Sequence, residues 1–152
     1  MSPGVGPTPG TPLGGVSPEV GPVLGLAQRS AGVTAYHHGC RAVFPKCGAA
    51  SRQGKTVAAY GAAAKGNTLM NYAGIRPDLI RFVVDRNPAK QGKTMPGSRI
   101  PIVDESRLQQ EKPDYVVILP WNLKAEVMLQ LEYIKAWGGC FVTAVPELSI
   151  EQ

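Results

Sequence analysis

A short stretch after an apolar run has the spacing of a phosphate-binding turn. Gly61, Ala63 and Gly66 form the pattern G-x-A-x-x-G, within the stretch 60–69 that directly follows residues 56–59 and leads into a segment with a helical pattern. In a dinucleotide-binding βαβ unit such a turn brings a diphosphate to the helix N-terminus, and an acid ending the second strand binds the ribose hydroxyls. Asp85 ends the next apolar run and has that position. The sequence therefore predicts a nucleotide-binding turn.

Two departures weaken the prediction. Ala63 replaces the middle glycine, and its Cβ hinders the close approach of a pyrophosphate to the backbone. The same letters read as G-x-x-x-x-G, but Asn67 and Thr68 follow where a P-loop needs Lys-Ser/Thr, so ATP hydrolysis is not expected. The helix N-terminus and Lys65 can still attract an anion. The alternative is that the small residues only permit tight strand-to-helix packing, and both interpretations stay open.

Three other loops are expected at the same edge, because ligands bind beyond the carboxyl ends of strands in such a sheet. They span residues 85–93, 120–122 and 146–147. In the first, Asn87 and Lys90 are candidate ligand contacts, and in the second, Trp121 and Asn122 are. The alternatives are a solvated surface loop for residues 86–93 and a packing anchor for Trp121.

Alternating strand and helix signals position these loops. The predicted strands span residues 55–60, 79–85, 100–103, 114–120 and 140–145, and the predicted helices span residues 64–74, 104–112 and 123–137. The unbroken apolar run 116–119 is typical of a strand that is buried on both faces. Asn122 is a plausible N-cap of the last helix, and Gly138 ends it. This alternation predicts βαβ crossovers and hence an α/β fold: a small Rossmann-like domain with a mostly parallel sheet and flanking helices.

Residues 1–50 lack such patterns, and we expect a disordered Pro/Gly-rich tail and linker before a folded domain at 51–152. Pro and Gly interrupt every apolar run in the tail, so neither a secretory signal nor a membrane span of about 20 residues is expected, and a cytoplasmic location follows by default. The net charge of +5 comes from basic residues that are scattered singly. This pattern predicts no nucleic-acid or membrane partner and leaves room for a small anionic ligand.

The cysteines favour a reduced compartment rather than a disulfide framework, because Cys40, Cys47 and Cys140 are an odd set. His37 and His38 join the first two in the stretch HHGCRAVFPKC. Six residues separate those cysteines, whereas structural zinc sites show tight Cys-x2-4-Cys pairs. An unstructured linker is therefore favoured over a zinc site, and no metal site is predicted.

Four motifs occur in order: AAYGAAAKGNTLMNYAGI, FVVDRNPAKQGKTMPGSRIPI, PDYVVILPWNLKAEV and GGCFVTAVPEL. Together, from about Lys55 to about Glu147, they resemble the C-terminal domain of S-adenosylmethionine-dependent sugar C-methyltransferases. That family methylates carbon 3 of nucleotide-linked 4-keto-deoxysugars. The resemblance implies a three-part protein with a zinc module, a central methyltransferase domain that holds the methyl donor and the catalytic groups, and this domain. It also implies that the nucleotide sugar lies where the last two parts meet.

The resemblance places six of the loop residues at or beside the substrate cleft: Lys65, Asn67, Asn87, Lys90, Trp121 and Asn122. With Gly61, Gly66 and Asp85 they are the predicted substrate-binding residues. Nothing in the sequence resembles the zinc module's cysteine pairs or the acidic-Gly-x-Gly-x-Gly strand end of a methyl-donor site. We therefore expect no catalytic residue and no cofactor bound by this chain alone, S-adenosylmethionine being held by the catalytic methyltransferase domain of the full-length family. The expected partners are that domain and a nucleotide-diphosphate sugar.

Two alternatives from other functional classes remain. The chain could be a free-standing nucleotide or nucleotide-sugar binding module, which the G-x-A-x-x-G turn and Asp85 favour. It could also be an inert truncated remnant, in which the turn is only structural.

Overall fold

The computed structural model describes residue 4 and residues 45–152. In this part the chain alternates strands with helices. Helix α1 occupies residues 45–52. The further α-helices are α2 (Ala64–Tyr72), α3 (Ser106–Glu111) and α4 (Lys124–Gln130), and 3-10 helices span Trp121–Leu123 and Glu132–Trp137. The strands are β1 (Val57–Tyr60), β2 (Val83–Val84), β3 (Ile102–Val103), β4 (Tyr115–Ile118), β5 (Cys140–Thr143) and β6 (Ser149–Glu151).

The six strands form one sheet in the order β3-β2-β1-β4-β5-β6. The first five are parallel, and β6 pairs antiparallel with β5. The chain leaves β1 toward β2 and later returns to β4 on the other side, so the strand order reverses between β1 and β4. This arrangement confirms the predicted α/β class and creates a topological switch point, the usual ligand position in open sheets.

Both faces of the sheet are buried. On β4 and just beyond it, Val117 and Leu119 belong to one apolar cluster, whereas Val116 and Ile118 belong to the other. Helices α1 and α2 cover the first face, and α3, α4 and the following 3-10 helix cover the second. The alternation explains why residues 116–119 are apolar without interruption.

Strand β6 was not predicted, and the last predicted helix is wrong in detail. Residues 123–137 do not form one helix, because Leu131 has φ −100° and ψ 18°, which breaks the α-helix after Gln130. Nor does Asn122 cap it: the N–H of Leu123 bonds the carbonyl of Pro120 at 2.8 Å and draws residues 121–123 into a 3-10 turn. Helix α4 then begins without a side-chain cap. The predicted strands 79–85 and 100–103 shrink to two residues each, β2 and β3.

Residues 45–50, which the sequence assigns to the linker, are helical and belong to α1. Cys47 and Ala50 lie in the core at helical spacing and attach α1 to the sheet. These small residues give only a weak apolar signal in the sequence. The rest of the predicted tail lies outside the described residues, apart from Gly4. Among the helices of the described part, none is long and apolar enough to cross a membrane.

Candidate functional site

The turn after β1 packs tightly against the end of β4. Gly61 has φ +93°, and a Cβ on it would lie 2.6 Å from Cδ of Pro120. A Cβ on Gly66 would lie 2.6 Å from Cβ of Leu119. Both contacts are far below van der Waals distance, so both glycines are required for packing. The packing interpretation thus accounts for the glycines of the pattern, whether or not a phosphate binds there.

The N-terminus of α2 remains suited to an anion for a separate reason. Its N-cap, Ala63, supplies no side-chain hydrogen bond, and no acidic residue occupies the first turn. The first N–H groups of a helix have no partner within the helix, and the dipole makes this end positive. Residues 63–65 are exposed. An anion that reaches the turn would therefore meet donors that no side-chain cap occupies.

Lys65 joins the turn after β1 to the loop after β4. Its Nζ lies 5.8 Å from the centroid of the Trp121 ring, within the range of a cation–π contact. Trp121 is half-buried, and Asn122 beside it is exposed. The structure thus brings three of the predicted residues together across the switch point.

Asp85 is used to hold two loops together. Its Oδ2 accepts the N–H of Ala62 at 2.8 Å and the Lys90 ammonium at 3.2 Å, and its Oδ1 accepts the N–H of Asn87 at 2.8 Å. Lys90 also donates to the carbonyl of Ala62 at 2.9 Å. The Asp85 side chain is only 12% exposed. A ribose hydroxyl would have to share this occupied carboxylate, so the contact of Asp85 with ribose stays a prediction.

The two predicted asparagines differ in their surroundings. Asn87 is exposed, and its Oδ1 accepts the N–H of Ala89 at 3.0 Å, which shapes the loop after β2. Asn67 is half-buried on α2, next to Gly66, and its Oδ1 is buried with no hydrogen-bond partner in the part of the chain that the structure describes. A buried acceptor of this kind costs about 1–3 kcal/mol while it stays unpaired. Among the predicted site residues, Asn67 is therefore one whose side-chain oxygen could still accept a hydrogen bond from a ligand.

A polar network that the sequence did not reveal lies at the same carboxyl ends, on the α4 face of the sheet. It comprises Tyr60, Arg86, Glu105, Gln130 and Tyr133, called the Arg86 network below. Gln130 Nε2 donates to the Tyr60 hydroxyl at 2.6 Å and to Glu105 Oε2 at 3.1 Å. The hydroxyl of Tyr133 donates to Glu105 Oε1 at 3.1 Å. These residues lie on four separate segments, so no local motif could have indicated them.

Burial acts on both tyrosines of the network. It is the main cause that raises the pKa of Tyr60 above its ordinary value, and the hydrogen bond from Gln130 opposes it. Burial and then the charge of Glu105 raise the pKa of Tyr133 well above its usual range. Both hydroxyls therefore stay protonated at neutral pH and act as hydrogen-bonding groups rather than bases.

A partly open pocket of about 220 Å³ lies away from this edge. It is lined by α1 and by the amino-terminal ends of β1 and β4, including Cys47, Val57 and Tyr115. Burial raises the pKa of the Cys47 thiol to about 11, so this cysteine is an unreactive core residue. Residues 45–152 contain no cluster of three or more metal-ligating side chains, and His37, His38 and Cys40 lie outside them.

Comparison with known proteins identifies the family of this domain. The family model described as C-methyltransferase C-terminal domain matches residues 36–146, well over half of the chain. A similar protein is "C-methyltransferase NovU" from Streptomyces niveus, 42% identical over 94 residues. The alignment covers 62% of this chain and 22% of that protein, so the chain spans only a fraction of its relative. The chain belongs to the C-methyltransferase C-terminal domain family.

Proposed function

We propose that this chain is the substrate-side domain of an S-adenosylmethionine-dependent C-methyltransferase that acts on carbon 3 of a nucleotide-linked 4-keto-deoxysugar. Membership of the family and the 42% identity to a C-methyltransferase support the reaction class. The observation that supports the substrate class is made at the carboxyl ends of the strands. There the uncapped N-terminus of α2, Lys65 and Trp121 meet at the switch point. A diphosphate suits the helix end and the ammonium, and the aromatic face suits the base or the sugar.

The charge of this edge suits the nucleotide sugar better than the methyl donor. S-adenosylmethionine carries a positive sulfonium, which would face Lys65 and the positive end of α2. The acid beside the turn after β1, Asp85, is committed to Ala62 and Lys90. We therefore assign to these loops the binding of the nucleotide part, and we assign the methyl donor to the methyltransferase domain that completes the site.

The reaction needs a base that removes the proton next to the ketone, and it needs the donor methyl held in line with carbon 3. In this proposal the chain contributes orientation: it fixes the diphosphate and the base at one end of the substrate, so that carbon 3 is presented to the catalytic domain. The proton acceptor then belongs to that domain rather than to Tyr60 or Tyr133, whose hydroxyls stay protonated.

A free-standing nucleotide or nucleotide-sugar binding module is less well supported. Its two sequence signals were the glycines of the turn and Asp85. Close packing against β4 accounts for Gly61 and Gly66, and loop cross-linking accounts for Asp85. An inert remnant would use the same contacts without any ligand, so it differs from the proposal only in its lack of affinity for anions.

A chimera tests the proposal. The segment of the Streptomyces niveus relative that aligns with this chain is replaced by the corresponding residues of this chain, and methyl transfer to a nucleotide-linked 4-keto-deoxysugar is measured with labelled S-adenosylmethionine. The proposal expects activity within about 10-fold of the parent. It expects Lys65→Glu in the chimera to raise the KM for the nucleotide sugar. The control Lys135→Glu, in the 3-10 helix Glu132–Trp137, should leave this KM unchanged. A folded chimera that binds S-adenosylmethionine but transfers no methyl group would contradict the proposal.

A further inference from the structure

The position of Arg86 is fixed although its side chain is 66% exposed. Its Nη1 donates to Gln130 Oε1 at 3.0 Å, and its Nε lies 3.5 Å from Glu105 Oε2. Gln130 is held in turn by the Tyr60 hydroxyl and by Glu105. A long exposed side chain ordinarily samples many rotamers. Contacts on two edges of the guanidinium already restrict Arg86 in the ligand-free protein, so less side-chain conformational entropy is lost when a ligand binds.

The network lies beside the turn after β1. Arg86 directly follows Asp85, whose carboxylate holds the Ala62 N–H, and Tyr60 directly precedes Gly61. Lys65 and the N-terminus of α2 therefore approach the switch point from the first face of the sheet, while Arg86 stands on the face of α4. A cationic side chain therefore lies on each face of the sheet at this edge, Lys65 on the α2 face and Arg86 on the α4 face.

The geometry points to Arg86 as a second phosphate-binding group of this edge, with Gln130 and Glu105 as its positioning residues. This inference rests on the proposed function, because it adds a contact to the same nucleotide site. A guanidinium can bind phosphate oxygens through two parallel N–H groups, which an ammonium cannot do. Arg86 was not among the residues that the sequence singled out.

A purely structural ion pair explains the arrangement less well. Exposed ion pairs stabilise a protein by only about 0–1 kcal/mol. The stability gained from the Arg86–Glu105 contact is therefore too small to explain why the Arg86 guanidinium is held by both Glu105 and Gln130. Glu105 also accepts from Tyr133 and Gln130 and does not depend on Arg86 alone.

The test compares calorimetric titrations of the full chain with thymidine diphosphate and with thymidine. Arg86→Gln should raise the Kd for thymidine diphosphate about 10-fold, the usual effect of losing one charge-assisted hydrogen bond. The matched control is Arg107→Gln, which removes the same charge from an exposed pair with Glu111 on α3. It should change the Kd less than twofold. Neither variant should alter any weak binding of thymidine, because thymidine has no phosphate.

The positioning role is tested with Gln130→Met, which keeps the length of the side chain but removes both of its polar groups. It should raise the Kd for thymidine diphosphate about 3-fold and shift the Nε–H resonance of Arg86 in the ligand-free protein, a change that a loss of stability elsewhere would not produce. An unchanged Arg86 resonance would overturn the positioning role.

The outcomes separate this inference from the proposed function. If the wild-type chain binds thymidine diphosphate and Arg86→Gln binds it equally well, the role of Arg86 is overturned and the nucleotide site stands. If Lys65→Glu and Arg86→Gln both weaken binding, both are supported. If the folded wild-type chain does not bind thymidine diphosphate at all, both fail.

Discussion

Gly66→Ala probes one of the two tightest contacts of the candidate site. A methyl group at Gly66 would stand 2.6 Å from Cβ and 2.9 Å from Cδ1 of Leu119. Carbon atoms that are not bonded prefer about 3.5–4.0 Å, so the contact is too short by about 1 Å. The Cδ1 contact can be relieved by a rotamer change. The Cβ contact cannot, because that atom is fixed to the backbone just after β4.

Helix α2 must therefore move away from β4 in this variant. Overpacking of this kind costs about 1–3 kcal/mol. Alanine is a better helix former than glycine by up to about 1 kcal/mol, which offsets part of the cost. We expect the free energy of unfolding to fall by about 1–2 kcal/mol.

Urea denaturation followed by far-UV circular dichroism measures this loss. Gly48→Ala is the matched control, because Gly48 also lies in a helix, α1, but the nearest atom to its added Cβ is 3.8 Å away on Arg52. The control should be neutral or up to about 1 kcal/mol more stable. If Gly66→Ala were as stable as the control, the close approach of α2 to β4 would be wrong, and with it the packing account of the turn.

Three further predictions concern single side chains. Lys65→Glu should raise the Kd for thymidine diphosphate at least 10-fold, because it replaces an attractive charge with a repulsive one, and calorimetry with Lys135→Glu as the control checks this. Asp85→Ala should lower the free energy of unfolding by about 2 kcal/mol and speed hydrogen exchange at the Ala62 amide, because three hydrogen bonds are lost; an unchanged exchange rate would contradict the cross-link. The raised pKa of Cys47 means that its thiol ionises first in the unfolded chain, so stability that is fully present below pH 9.0 should fall by about 2–3 kcal/mol as the pH rises to about 11. Denaturation between these pH values should show a smaller loss in Cys47→Ala, whereas Cys140→Ala should keep the full loss.

The sheet could be predicted from the sequence because its signals are local. The apolar run 116–119 and the alternation of strands with helices identify a parallel sheet with two covered faces, as observed. Strand β6 was not predicted because Ile150 is its single apolar residue, and that residue is about half exposed. Helix α1 was not predicted because the residues that attach it to the sheet, Cys47 and Ala50, are small. Tertiary packing outweighed local propensity at both ends.

The site shows the same division. The turn after β1 could be recognised from spacing, since Gly61, Lys65 and Gly66 are close in sequence. What Asp85 does could not be read there, because its partners are the Ala62 amide and Lys90 rather than a ligand. The Arg86 network was invisible for a stronger reason: the bond from Gln130 to Tyr60 joins residues 70 positions apart, and only the folded sheet brings them together.

The central claim is that the carboxyl edge of this domain binds the nucleotide part of a sugar substrate. Calorimetric titration of the folded chain with a thymidine-diphosphate sugar, with S-adenosylmethionine as a parallel ligand, tests it most directly. The account predicts saturable binding of the nucleotide sugar that Lys65→Glu weakens, and no binding of S-adenosylmethionine. Binding of the methyl donor instead, or nucleotide-sugar binding that is indifferent to Lys65, would contradict it.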